Sequence, residues 1–221
     1  RRIREGKKEL EPLYTDEDVA QTIQQFVAVP YHTKREIASG VTFHFTDAGH
    51  ILGSAAVNLE LKEGGKQTKL MFTGDIGRYH DLILKAPENF PQADYIIAES
   101  TYGNRLHDAT ADAAAILQQV IYKTCVEKKG KVLIPAFSLG RTQEIVYTLN
   151  NLWNEGKLPR VKVYVDSPLS INATAVMARH PENYNEAILK SMKNDPDPFG
   201  FSTLDYVESV AESKALNTKN E

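Results

Sequence analysis

The chain has 221 residues, 42% of them hydrophobic and 25% charged, an ordinary balance for a soluble globular protein and enough for one large domain or two small ones. Its 26 basic and 29 acidic residues leave a net charge of -3, which excludes holding a nucleic acid by bulk positive charge; any polyanion must be gripped locally. No apolar run approaches the roughly 20 residues that span a bilayer, no signal-peptide core follows the basic start, and a lone Cys125 excludes an intrachain disulfide. An unexported protein of a reducing compartment, placed in the cytoplasm and away from membranes, is expected.

Residues 1 to 14 are polar and irregular, and the chain opens with neither a start methionine nor a capped element, so it reads as an excerpt. A helix is predicted from about Asp16 to Phe26, with Thr15 as N-cap, Asp18 completing a near capping box, and Val19, Ile23 and Phe26 as its apolar stripe. Strand-like runs follow at Phe26 to Tyr31, Val41 to Thr46, Ala55 to Leu61 and Lys69 to Thr73. The last two are joined by a hairpin turn at Glu63-Gly64-Gly65-Lys66, and a short buried strand is expected at Tyr95 to Ala98.

Beyond Gly103 the pattern changes to helices alternating with short apolar runs. Ala109 to Lys128 reads as a helix stopped near Gly130, Val132 to Pro135 as a buried strand, and Arg141 to Asn154 as a helix. Val161 to Val165 is expected to be a second buried strand and Ile171 to Arg179 a third helix, while Asn194 to Gly200 is a loop. Strands separated by helices of this length imply parallel packing of Val132 with Val163, and a boundary near residues 103 to 108. The fold class expected is α/β.

Three acid or histidine side chains stand in turns rich in Gly, Ser or Thr directly after strand-like runs: His50 in Thr46 to Ala55, Asp75 in Phe72 to Arg78, and Glu99 in Ala98 to Gly103. A histidine with a carboxylate is a ligand set for catalytic zinc, which takes about three protein ligands and keeps an open position. With two ions, a carboxylate can bridge them; Asp75, beside Gly74, suits that role and His50 a terminal one. Each residue alone also fits a hydrogen-bonded turn. Ser138-Leu139-Gly140-Arg141, at the mouth of a helix, offers a seat for phosphate through backbone N–H groups; N-capping by Ser138 and an Arg141 salt bridge to a carboxylate fit the same residues. Tyr102 could stack on a base or simply pack.

Taken in order, Gly49-His50-Ile51-Leu52-Gly53-Ser54-Ala55, Phe72-Thr73-Gly74-Asp75 and Glu99-Ser100-Thr101-Tyr102-Gly103 resemble motifs of the β-CASP family of metallo-β-lactamase-fold nucleases. Ile134 to Glu144 and Tyr164 to Leu169 resemble that family's inserted domain, and the similarity runs from about Glu9 to Asn217. The resemblance implies the later part of a metallo-β-lactamase αββα domain over residues 1–105, then most of a β-CASP α/β domain with parallel strands over 106–221. It makes His50 a zinc ligand, Asp75 a catalytic residue bridging two zinc ions, and Glu99 an acid that orients a proton-donating histidine. Ser138, Gly140 and Arg141 would then contact substrate phosphate.

The family's upstream His-x-His-x-Asp-His segment is absent from this chain, and its later histidines belong beyond Asn217, so the chain is expected to carry part of a site and to be inactive alone. The activity implied is zinc-dependent hydrolysis of RNA, single-stranded in preference, by a protein compatible with a homodimer. A catalytically inactive scaffold subunit of an RNA-processing complex, or a metallo-hydrolase of small esters or thioesters, are the rival readings.

Overall fold

The computed structural model of the chain describes residues 12–106 and 112–219, so residues 1–11 and the first residues of the helix expected from Ala109 lie outside the described residues. Helix α1 (Asp16–Ile23) starts where local chemistry requires: Thr15 accepts the Asp18 N–H, and the Asp18 carboxylate accepts the Thr15 N–H at 2.8 Å. Its apolar stripe is not buried; Val19, Ile23 and Phe26 all face solvent. Phe26 to Tyr31, expected as a strand, has no strand partner and runs as irregular chain and a turn.

Strands β1 (Arg35–Ala38), β2 (Val41–Asp47), β3 (Ala55–Glu63), β4 (Lys66–Phe72) and β5 (Tyr95–Ile97) form one sheet in that order. The first four pair antiparallel, and β5 lies parallel to β4. Gly64 and Gly65 turn the β3–β4 hairpin with φ of 56° and 78°, left-handed values that only glycine adopts freely in a two-residue turn. Since β2 and β4 are both antiparallel to β3, they run in the same direction, and β5 runs with them. The C-terminal ends of β2, β4 and β5 therefore share one sheet edge. From that edge leave the loops that carry His50, Asp75 and Glu99.

The strand at Tyr95 is present but is not buried. It is an edge strand, and Tyr95, Ile96 and Ile97 are 65%, 59% and 53% exposed because nothing among the described residues covers either face.

The later elements are α2 (Ala113–Ile121), continued by a π-helical turn over Tyr122–Glu127, then α3 (Arg141–Asn154), β6 (Val163–Val165), α4 (Pro168–Ala178), α5 (Glu186–Ser191), β7 (Leu204–Tyr206) and α6 (Val210–Leu216). The left-handed residue after the π turn is Lys129, at φ 52°, while the Gly130 N–H closes onto the Thr124 carbonyl. A parallel pair does exist, but it joins β6 to β7 rather than Val163 to Val132. Among the described residues Val132 to Pro135 finds no strand beside it, and Leu133 is 88% exposed; without a ladder partner an apolar run has no reason to stay regular. No helix among the described residues is long and apolar enough to cross a membrane.

One core cluster joins Val146 and Tyr147 of α3, Val165, Met177, Tyr184, Ile188 and Phe199 with Ile83 and Leu84, which come from the long β4–β5 connection. Complete burial of side chains such as Tyr184 and Ile188 contributes about 1.5–3 kcal/mol for each aliphatic or aromatic group of this size. A second cluster packs Ile121, Leu149, Leu152 and Leu158, with Cys125 against it as a filler. Ile83 and Leu84 thus tie the Asp75 loop to the helical half.

Candidate functional site

The β2–β3 connection is held by its own polar groups. Asp47 Oδ1 accepts the Gly49 N–H at 2.8 Å, and Ser54 Oγ accepts the N–H groups of His50 at 2.9 Å and Ile51 at 3.3 Å. Burial pushes the Asp47 carboxyl up, against the Gly49 N–H, which pulls it down. Gly49 sits at φ 61°, and a Cβ there would fall 2.5 Å from Pro87 N, so this position needs glycine for conformation and for space.

The Asp75 loop is stitched to it. The Gly77 N–H donates to the Ala48 carbonyl at 2.8 Å, and a Cβ on Gly77 would overlap the Gly49 carbonyl and stand 2.7 Å from His50 N. The Ile76 N–H, next along, donates to Glu99 Oε1 at 2.6 Å. That bond, then one with Thr101, holds the Glu99 carboxyl below its ordinary range, with His50 adding a weaker pull. His50 Nε2 and Asp75 Oδ2 lie 3.8 Å apart, with side chains 43% and 69% exposed. The three residues singled out from the sequence are gathered at one edge.

Ser138 to Arg141 meets this edge from the helical half. A Cβ on Gly140, at φ 83°, would lie 3.7 Å from Ile51 Cγ2, beside His50. Three backbone N–H groups at this helix start are engaged: Gly140 donates to Gln143 Oε1 at 2.8 Å, Arg141 to the Leu139 carbonyl and Thr142 to the Phe137 carbonyl, both at 3.2 Å. Gly140, not Ser138, is the N-cap of α3, and Ser138 Oγ lies 3.2 Å from Ser167 Oγ. What this segment still presents outward is the Arg141 guanidinium, whose side chain is 57% exposed and whose Nη1 pairs with Glu144 Oε2 at 2.9 Å.

Sequence reasoning missed Arg78, Asp81 and Glu144. Arg78 pairs with Asp81 at 2.8 Å and with Glu144, joining the Asp75 loop to α3. Burial would push the Asp81 carboxyl up, but the Ile83 and Leu84 N–H groups and Arg78 outweigh it and hold the carboxyl below its ordinary value. For Glu144 burial wins over Arg78 and Arg141, and its carboxyl is raised. The only sequence signal was position: Arg78 and Glu144 lie inside the segments already quoted.

The chain is of mixed α/β class and gathers a histidine and two carboxylates where parallel-running strands end. A Beta-Casp domain model matches residues 142–221. An RNase J-like protein of Methanocaldococcus jannaschii is 37% identical over 190 residues, covering 85% of this chain and 44% of the relative. Endoribonuclease YSH1 of Kluyveromyces lactis is 34% identical over 206 residues, 90% of this chain and 26% of the relative. Cleavage and polyadenylation specificity factor 73 of Drosophila melanogaster is 30% identical over 200 residues, 90% of this chain and 28% of the relative. The chain belongs to the β-CASP family. It spans less than half the length of these relatives.

The family is one of metallo-hydrolases and implies a metal cofactor. His50 and Asp75 fit two ligand positions: one imidazole nitrogen and one carboxylate oxygen, open to solvent, at a separation close to the roughly 3.3 Å that two ligands on one tetrahedral zinc would have. Among the described residues no group of three or more His, Cys, Asp or Glu is gathered around a common point. The described residues therefore offer two of the roughly three protein donors that a catalytic zinc takes.

Proposed function

We propose that the full-length protein containing this chain is a zinc-dependent ribonuclease that hydrolyses RNA phosphodiester bonds in RNA processing or decay, with this chain providing part of its site. The observation that carries the reading is the 3.8 Å approach of His50 Nε2 to Asp75 Oδ2 beside a Glu99 fixed by the Ile76 N–H. The names of the relatives, ribonuclease or endoribonuclease in two of the three cited, support the same substrate class.

In this reading His50 and Asp75 would hold metal, with zinc as the ion and Asp75 as the carboxylate that two ions could share. Such ions supply Lewis acidity toward a phosphoryl oxygen and lower the pKa of water. Glu99, kept anionic by its hydrogen bonds, orients and stabilises the charged form of a protonated histidine that gives a proton to the leaving oxygen. Arg141 meets phosphate as a guanidinium, with Ser138 and Gly140 shaping the loop, since three backbone N–H groups at this helix start are already bonded. Residues 1–105 and 106–221 are assigned to the two domains, single-stranded RNA to the cleft, zinc to the metal, and the cytoplasm to the protein; a homodimer fits the same reading. A catalytically inactive scaffold would have no chemical need for His50, Asp75 and Glu99 together.

The test pairs metal analysis after dialysis with a labelled-RNA assay on the 221-residue chain and on the full-length protein. The full-length protein should retain zinc, cleave RNA and lose at least about 10²-fold activity on Asp75→Ala, a bridging ligand's loss being no smaller than that of a single transition-state contact. The short chain should bind zinc weakly and cleave nothing. Two tightly held zinc ions in the short chain would show that the ligands are misassigned.

A further inference from the structure

Between the candidate metal edge and α3 lies a group of four charges, of which the proposed chemistry uses only Arg141. Arg78 leaves the loop three residues after Asp75, and its guanidinium bonds Asp81 at 2.8 Å and Glu144 on α3. Glu144 uses its other oxygen for Arg141, at 2.9 Å. Only 8% of Glu144 is exposed, so the two guanidiniums offset the charge of a carboxylate mostly removed from water, with the Asp81 carboxyl also close beside it. Asp81 is anchored in turn: its Oδ1 accepts the N–H groups of Ile83 and Leu84, each at 2.9 Å, and those residues belong to the core that contains Val146 and Tyr147 of the same helix.

A continuous line of bonds results, from Glu99 to the Ile76 N–H, along the backbone to Arg78, across to Glu144 and on to Arg141. We propose that Glu144 is a positioning residue: by clasping Arg78 and Arg141 together it fixes the distance between the Asp75 loop and the guanidinium that meets substrate phosphate. The clasp rests on the phosphate reading of Arg141 given above. Catalysis by fixed groups depends on separation at this scale, where a misplacement of about 1 Å costs about 10²-fold in rate.

Glutamine at position 144 cannot replace the clasp. Its amide oxygen can accept from one guanidinium, but its NH2 then faces the other, donor against donor. The Arg78→Gln change breaks the same line from the opposite side, and the two substitutions alter local charge in opposite senses. An effect of charge alone would move KM for RNA down in Glu144→Gln and up in Arg78→Gln, leaving kcat in place. Loss of the clasp lowers kcat in both.

The experiment is steady-state RNA cleavage by the full-length protein carrying Glu144→Gln, Arg78→Gln or both, with zinc content and melting temperature measured on each. The expected result is a kcat loss of about 10- to 100-fold in either single variant with zinc retained, and no further loss in the double variant, because both remove one coupled unit. Losses that multiply, or opposite KM changes with kcat intact, overturn the proposal. A wild-type protein that cleaves no RNA sinks the functional reading instead. The same cycle read by melting temperature then decides the clasp, with non-additive shifts supporting it and additive shifts overturning it.

Discussion

Replacing Gly77 with alanine tests the contact that joins the loops carrying His50 and Asp75. The added Cβ would overlap the Gly49 carbonyl and come within 2.7 Å of His50 N, and both obstacles are backbone rather than the flexible end of a side chain. Overpacking of a tight site costs about 1–3 kcal/mol, and backbone against backbone places this substitution near the upper figure. Separation of the loops also weakens the 2.8 Å bond from the Gly77 N–H to the Ala48 carbonyl, worth about 1 kcal/mol. For a chain of this size roughly 3 kcal/mol lowers the melting temperature by about 6–12 °C. The shift should also carry His50 away from Asp75, and about 1 Å of drift would cost the full-length enzyme about 10²-fold in RNA cleavage. Gly53→Ala is the informative comparison: it has φ 82° but no atom within 4 Å of the added Cβ, so it should cost only about 1 kcal/mol of backbone strain. A Gly77→Ala protein that melts within about 1 °C of the parent and keeps its zinc would refute the loop contact.

Ser54→Ala should remove the acceptor of the His50 and Ile51 N–H groups, one bond exposed and one half-buried, destabilising the turn by about 0.5–1.5 kcal/mol and, on the proposed reading, weakening zinc retention; Ser54→Thr, which keeps the hydroxyl, should recover most of the metal affinity in the same titration. Asp81 supplies a pH signature. Its carboxyl is depressed below the ordinary 3.8, so its contribution to stability is fully present above that pH and is lost as pH falls through the lower folded value. Glu144, with a raised carboxyl, acts in the opposite direction and in a separate window: between its raised value and the ordinary 4.5, stability rises as pH falls. Urea unfolding across acid pH should therefore show a flatter limb below pH 3.8 in Asp81→Asn than in the parent, and equal slopes there would contradict the assignment.

What the sequence revealed and what it hid divide along the range of the interactions. The α1 start, the Gly64-Gly65 hairpin and the His50 turn were legible because each is fixed by residues within a few positions: Thr15 with Asp18, two glycines at positive φ, and Ser54 with His50. The run at Val132 to Pro135 was misread because apolar composition describes a willing strand, not a neighbour to pair with; the partner of Val163 is Leu204, in a three-residue strand too short to show a period. Strand β1 was missed for the complementary reason: all four of its residues are exposed, so no alternation marks it. The Arg78 to Glu144 bond joins residues 66 apart, and no local pattern announces such a pair.

The charges at this edge also bear on how a chain with net charge -3 can be similar to proteins named as ribonucleases. At the loops around His50 and the adjoining start of α3, the carboxylates of Asp47, Asp75, Asp81, Glu99 and Glu144 stand with the guanidiniums of Arg78 and Arg141. Arg78 lies between Asp81 and Glu144, so its charge is largely directed inward, and Arg141 shares its own with Glu144. The unpaired excess is negative and sits on Asp75 and Glu99, where phosphate would have to approach. A phosphate brought to this edge alone is repelled, by about 1 kcal/mol per charge pair at 4 Å even in bulk water and more where the groove excludes it. On the reading proposed above, divalent ions held by His50 and Asp75 would reverse that sign at the point of approach. On that reading Asp75, which helps make the bare edge hostile to phosphate, would also fasten the charge that attracts it, so that metal and substrate affinity would share one residue.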